Sequence, residues 1–467
     1  MDKAANVRPA TGSGVMNAVG LGSEVERLVG LVDAEDAFDY DYAEILPRQL
    51  AAIDERLQDR VQKIKLLQNR AETGGVSRVE RMEDVVPLLF AHTAYKSYPE
   101  GWLTEQKWDR MGRWLDTVST NRVTPIDTSG VAGLDAWLEA LEGQGHYVSC
   151  SSGTTGKCAM MNATTPDLEF SGRSLLQGLV WQGLAPNHDR KMISLGQVAS
   201  TPRNRATGRP MAEAVSKAGS TPFAPVAPPI TIGGITEMVV LRKKMAEGAA
   251  TPSELAHYEA QVTEREKAME SCVEQAAEAL IESRAEKLHI MGLFGPLYRV
   301  AKLVRERGYS GKDFHPENSC FISGGLKREQ LPADYSEFIF GAFNLSGQRI
   351  CKAYGMQELN TNAVRCKCNR YHMAPWVMLL PLDEPGETLA PRPASGEFEG
   401  RAAFFDLSLD GRWGGVISGD KIRVSYDTCE CGARSPSISE DIQRYADTAG
   451  GDKIACAGTI DAYVRGV

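Results

Sequence analysis

Residues 151–157 read Ser151-Ser152-Gly153-Thr154-Thr155-Gly156-Lys157, a run that concentrates anion-binding chemistry. The glycines let the backbone turn tightly and approach a ligand. Hydroxyls, backbone N–H groups and the Lys157 ammonium can then converge on one anion, which suits the phosphates of a nucleotide. The Walker spacing is absent, and an ordinary Ser/Thr/Gly surface loop is the plain alternative. Tyr354-Gly355-Met356-Gln357-Glu358 offers a ring and a close backbone approach for a flat base, with a carboxylate that can reach a phosphate-bound Mg²⁺. A buried tyrosine beside a surface glutamate would read the same way. Ser323-Gly324-Gly325 follows the apolar run Cys320–Ile322, so either a planar ligand lies against two glycines or the chain simply turns there. Ser418-Gly419-Asp420 places a carboxylate able to accept from two hydroxyls at what is otherwise a common turn.

The chain has 10 cysteines, four of them in two C-x-C pairs, Cys366/Cys368 and Cys429/Cys431. With His372 they give five candidate ligands for a four-coordinate site. Thiolate and imidazole donors point to Zn²⁺, and a closed site would be structural. Reduced thiols without metal are the alternative. Cys150, Cys158, Cys272, Cys320, Cys351 and Cys456 read as small buried fillers.

The order SSGTTGK resembles the phosphate loop of the adenylate-forming superfamily, the acyl-CoA synthetases and their relatives, and most of all the phenylacetate–CoA ligase branch. YGMQE is similar to that superfamily's Y-G-x-T-E motif, with Gln357 where Thr or Ser is usual, and SGD to its T-G-D. His92–Glu100 (HTAYKSYPE) is similar to a segment that precedes the loop in the same branch. The resemblance implies that Ser151–Lys157 holds the triphosphate of ATP and Glu358 a Mg²⁺. It implies that Tyr354, Gly355, Met356 and Ser323–Gly325 form the adenine pocket, with Leu326 where an acidic residue is usual, that the Gln357 amide donates to a phosphate oxygen, and that Asp420 holds the ribose. The implied reaction activates a carboxylic acid as its adenylate with release of pyrophosphate. The acyl group, aryl or of medium length, then passes to a thiol of coenzyme A or of a carrier protein. Amide or acyl-protein formation, or a non-catalytic nucleotide-binding subunit, is the alternative. The branch carries a similar Cys/His cluster, which implies His372, Cys429, Cys431 and one of Cys366 or Cys368 as zinc ligands.

Gly458-Thr459-Ile460-Asp461-Ala462 resembles the hinge that precedes the superfamily's small C-terminal domain, with Thr459 in place of arginine. The resemblance therefore covers the large N-terminal lobe alone. Either this sequence is a piece of a longer chain that continues into that domain, or a separate subunit would supply the domain and its lysine, or Lys157, Lys327 or Lys352 would substitute. A homodimer is left open.

The elements that must position these groups follow from periodicity. The expected fold is α/β: β-sheets flanked by helices, a β-rich zinc-bearing sub-lobe over 360–440, and a mainly helical N-terminal extension over 1–84. The large domain runs over 85–457, and 458–467 form a hinge remnant. Residues 1–30 have few large apolar side chains and are expected to fray, while apolar spacing predicts one long helix over 42–71. Met192–Leu195, Leu288–Leu293 and Ser319–Ile322 read as strands that alternate with helices such as Leu297–Arg307. Residues 200–236, rich in Pro, Gly, Thr and Ala, read as a long loop, and 241–287 as a solvated helical insertion. The acid pocket is expected between 192–200, 289–298 and Ala353–Gly355, with Gly292, Phe294 and Gly295 giving room.

With 467 residues the chain can form two or three domains or one large one with an appendage. Hydrophobic content of 42% and charged content of 24% are ordinary for a globular protein. A net charge of −9 argues against a nucleic-acid partner, which needs a basic face. No apolar run approaches the ~20 residues of a membrane span, and the N-terminus lacks a signal-peptide pattern, so a cytoplasmic location is expected.

Overall fold

Residues 22–99, 101–151, 157–184, 186–196, 201–326, 330–447 and 452 are described by the computed structural model. The chain begins there with α1 (Glu24–Gly30), closed by a capping box between Ser23 and Glu26, with Val25 and Leu28 buried. The fraying expected up to residue 30 therefore fails for 24–30; residues 1–21 lie outside the described residues. The single helix expected over 42–71 is two: α2 (Tyr42–Arg60) and α3 (Lys65–Gly74). Tertiary contacts cause the break. Arg60 turns in to Asp410 at 3.3 Å, Ile64 is fully buried in an extended conformation, and Leu66 N–H donates to the Thr117 carbonyl at 3.0 Å. The short helices α4 (Met82–Val85), α5 (Gly101–Thr104), α6 (Trp108–Asp116) and α7 (Leu134–Glu142) carry the tryptophans of the next stretch, around the short strand β1 (Phe90–Ala91).

A hairpin of β2 (Tyr147–Ser151) and β3 (Ala159–Ala163) leads into α8 (Thr165–Trp181) and β4 (Lys191–Ser194). Where a loop was expected over 200–236, the chain forms α9 (Pro202–Val215) and the start of α10 (Ile232–Ala246). Pro202 occupies the first turn, Thr201 Oγ1 accepts from Asn204 N–H, and Met211 and Val215 are buried. Gly208 and Pro210 hide this helix from a composition-based reading. The insertion is a helical pair, α10 and α11 (Pro252–Glu282), turned at Gly248 with φ +68°. Then come β5 (Leu288–Gly292), α12 (Phe294–Glu306), β6 (Ser319–Ser323), α13 (Tyr335–Ala342) and β7 (Ile350–Tyr354). The remainder is strand: β8 (Ala363–Arg365), β9 (Arg370–His372), β10 (Val377–Leu382), β11 (Phe398–Asp406), β12 (Gly415–Ser425), β13 (Ser437–Ser439) and β14 (Gln443–Arg444).

One mixed sheet runs β10-β11-β12-β13-β9-β8-β7-β6-β5-β4. Its β4–β7 half is parallel, and from β7 onward the pairing is antiparallel. The strands that flank the C-x-C pairs thus continue the parallel sheet through the β7–β8 pair. In the parallel half, successive side chains face opposite layers. Ile193, Ile290, Ile322 and Ile350 pack under α11–α13, while Met192, Phe321 and Cys351 pack under α8 and α9. The helices before residue 85 belong to the main core: Leu28, Ile53 and Leu57 share one cluster with Leu380, Phe404 and Val424.

Candidate nucleotide and metal sites

All four parallel strands end on one edge, at Ser194, Gly292, Ser323 and Tyr354. Ligands of open α/β sheets bind beyond such carboxyl ends. This edge collects Gly324–Gly325 and the Gly355–Glu358 loop. Gly324 has φ +80°, a left-handed conformation that glycine adopts without strain. From the antiparallel half, β12 brings Ser418–Asp420 to the same place, because the Tyr354 hydroxyl donates to Asp420 Oδ2 at 2.7 Å. Burial pushes the Tyr354 phenol well above its usual range, helped by the Asp420 charge, so it remains a proton donor. Its ring has Tyr371 and Phe404 as tilted neighbours, each 6.1 Å away, so core packing covers part of the surface expected to stack on adenine. Behind it lies an internal void of about 10 Å³ between Leu359, Met373 and Val377, too small for more than a water.

The phosphate-loop residues Ser152–Gly156 lie outside the described residues, but both strands that frame them are in place. Of the lysines named above as possible substitutes for the small domain's lysine, Lys157 donates from Nζ to the Tyr98 carbonyl at 2.7 Å and sits 5.5 Å from the Tyr98 ring centroid. Lys352 pairs with Glu440 at 2.7 Å, and Lys327 lies outside the described residues.

The Gly355–Glu358 loop is shaped by close contacts. A Cβ on Gly355 would collide with the Asn362 amide, so the glycine answers to packing as well as to any ligand. Arg203 of α9 donates to the carbonyls of Met356 and Gln357, both at 3.2 Å, and of Asn360 at 3.5 Å. Arg412 donates to the carbonyls of Gln357 and Glu358, both at 3.1 Å, and to that of Asn162 on β3 at 3.0 Å. Among the described residues the Glu358 carboxylate makes no hydrogen bond or ion pair. A carboxylate left available at a strand edge fits the oxygen ligation that Mg²⁺ requires.

Sequence reasoning missed both arginines, since donors to backbone carbonyls leave no spacing signature. It also gave no role to His92. β1 pairs parallel with β12, Phe90 against Val416 and Ala91 against Ile417, which sets the His92 ring against Gly419. Burial holds the imidazole below its ordinary pKa, against the charges of Glu358 and Asp452. Arg401, fully buried, fixes the same strand from behind through the Ser418 carbonyl at 3.1 Å and pairs with Asp452 at 3.0 Å. Gly292, at the expected acid pocket, has only ordinary packing contacts around it. A Cβ on Gly292 would touch Leu297 and Leu195 at 3.4 and 3.5 Å, and Phe294 is buried edge-on against Tyr335.

Cys366, His372, Cys429 and Cys431 converge, with ligand atoms all within 4.8 Å of one another. Cys368 is not in the group; its backbone N–H donates to Cys366 Sγ at 3.3 Å, as the Ala433 N–H does to Cys431 Sγ at 3.4 Å. Ser435 sets the imidazole. Its hydroxyl donates to the Phe38 carbonyl, so its oxygen accepts from His372 Nδ1 at 2.9 Å, and Nε2 faces Cys431 Sγ at 3.5 Å. The hydrogen bond from Cys431 pulls the Cys366 thiol far below its usual value, and Cys431 is pushed up correspondingly. One thiolate therefore forms readily in the cluster, and a fixed Nε2 lone pair completes a donor set that fits Zn²⁺. Of the other cysteines, Cys158, Cys272, Cys320 and Cys351 are buried as expected and Cys150 is half-buried; Cys456 lies outside the described residues.

No protein-family model matches the chain, and no curated protein matches its sequence. Solved structures do match its fold. A 2-hydroxyisobutyryl-CoA ligase in an open conformation, in complex with 2-HIB-AMP and CoA, superposes with a TM-score of 0.52 at 12% identity, covering 89% of this chain and 79% of that one. The same ligase in its thioesterification state gives 0.51 at 12% identity, covering 88% and 70%. The helix-flanked mixed sheet, its strand-edge loops and these superpositions agree: the chain has the α/β fold of an adenylate-forming CoA ligase.

Proposed function

We propose that the chain binds ATP with Mg²⁺ and activates a carboxylic acid as its acyl-adenylate, releasing pyrophosphate, before transfer to a thiol of coenzyme A or a carrier protein. The observation that carries this reading is the convergence on one sheet edge of the Tyr354–Asp420 pair, Gly324–Gly325 and the available Glu358 carboxylate, next to the hairpin that launches SSGTTGK. Asp420 would accept from the ribose hydroxyls while Tyr354 orients it. The exposed backbone at Gly324–Gly325 and Gly355 would face the adenine. Ser151–Lys157 would hold the phosphates. Glu358 would hold Mg²⁺, which when bound neutralises charge on the phosphates and the departing pyrophosphate. The rest of the acceleration comes from alignment of carboxylate and phosphorus and from fixed donors around the developing charge.

Zn²⁺ at Cys366, His372, Cys429 and Cys431 would be structural, since four protein donors leave no open position. The reading is tested by ATP–pyrophosphate exchange over a panel of aryl and medium-chain acids: carboxylate-dependent exchange supports it. A nucleotide-binding subunit that relies on a separate small domain is favoured instead by ATP binding without exchange, the outcome to which the committed Lys157 and Lys352 ammonium groups point.

A further inference from the structure

Arg203 and Arg412 approach the Glu358 loop from two elements distant in sequence, and both guanidinium groups aim at main-chain carbonyls. Between them they take the carbonyls of Met356, Gln357, Glu358 and Asn360, with Gln357 shared. Arg412 is 2% exposed. Desolvation, with the Arg412 charge beside it, pulls Arg203 down to about 10. Two adjacent buried cations are costly, and an irregular loop could have satisfied its carbonyls with neutral donors. What the forks add is rigidity, because each planar guanidinium fixes two or more oxygens at once.

Arg412 itself is braced. Its residue bridges to Ser119, and the preceding Asp410 and Gly411 N–H groups both donate to the fully buried Asp167 at 2.8 Å. Asp167 also accepts from the Asn360 amide at 2.7 Å, at the far end of the same loop. The third Arg412 contact, to Asn162 on β3, ties this frame to the strand leaving the phosphate loop.

We propose that Arg203 and Arg412 are positioning residues: a two-guanidinium clamp that presets the Glu358 loop against β3, so that the Glu358 carboxylate is held in place for the Mg²⁺ that accompanies ATP. The inference rests on the nucleotide reading above. The arginines touch neither substrate nor metal and act through the carbonyls of the loop. Lysine cannot reproduce the forked geometry, although it keeps the charge.

The test compares full-length Arg203→Lys and Arg412→Lys with Arg70→Lys, which loses a single arginine–carbonyl contact, to Pro87, outside this frame. ATP affinity is measured by calorimetry with Mg²⁺ and in excess EDTA. The clamp predicts that the gain in affinity conferred by Mg²⁺ falls about 10-fold in both clamp variants, while binding in EDTA and the melting temperature track Arg70→Lys. In the exchange assay kcat should fall with the acid KM unchanged. An unaltered Mg²⁺ dependence, or equal losses with and without Mg²⁺, overturns the clamp and leaves the nucleotide reading standing. A wild-type protein that binds no ATP overturns both. Hydrogen exchange in the wild type gives a readout independent of the variants: the amides of Leu359 and Asn360, bonded to the Met356 carbonyl and to Asp406, should already be slow without ligand and change little on adding MgATP. Fast exchange that slows only on binding overturns a preset loop.

Discussion

Asp420 keeps one carboxylate oxygen on the Tyr354 hydroxyl at 2.7 Å, and the other faces Arg444 at 3.7 Å. Asp420→Asn preserves an acceptor for Tyr354 while removing the charge that a ribose diol would use. A charge-assisted hydrogen bond contributes roughly 1.5–3 kcal/mol, so ATP should bind about 10- to 100-fold more weakly by calorimetry, with little change in melting temperature. Unchanged affinity would remove Asp420 from the nucleotide site. At the cysteines, metal analysis of the purified protein should give about one zinc per chain. Cys431→Ser should lose most of it together with several kcal/mol of stability, whereas Cys368→Ser should keep it. Loss of zinc from Cys368→Ser would contradict the ligand set. The spacing of these cysteines announced the cluster but could not choose between Cys366 and Cys368, because that choice depends on which side chain the turn after β8 points inward. The reach of Arg203 and Arg412 was illegible for a related reason: their partners are carbonyls, which every residue has.

At the scale of elements, the strands with unbroken apolar runs were legible, because burial on both faces of β4, β5 and β6 leaves no polar alternation. The α9 helix was not, since its Pro and Gly content imitates a loop, and neither was the break between α2 and α3, which long-range contacts impose. One strand residue carries a measurable consequence. His289 on β5 is fully buried beside Ser319, at 2.9 Å from Nδ1, and burial pulls it from 6.5 to about 3. Above pH 6.5 both folded and unfolded chains hold it neutral. As the pH falls, the unfolded chain takes up a proton that the folded one refuses, and stability declines toward the folded value. His289→Gln should therefore lose stability less steeply than the wild type between about pH 6.5 and 4 in urea titrations. Parallel slopes would show that His289 is not a source of the acid sensitivity.

Across the whole molecule, one sheet joins the parallel half that ends at the candidate nucleotide edge to the antiparallel half that bears the cysteine cluster. The N-terminal segment closes the core of the antiparallel half, through contacts such as Gln49 Nε2 to the Pro375 carbonyl at 2.8 Å and Ser435 to the Phe38 carbonyl. Their amphipathic pattern was visible in the sequence, but the partner of that apolar face was not, since pattern alone does not say against what a helix packs. The central claim is that this architecture activates a carboxylic acid through its adenylate. Its most direct test is exchange of labelled pyrophosphate into ATP by the purified chain, with Mg²⁺ and a panel of aryl and medium-chain acids. The account predicts exchange that requires both Mg²⁺ and a particular acid and that falls at least ~100-fold in Glu358→Gln. Exchange that is absent with every acid, or that survives Glu358→Gln undiminished, would contradict it.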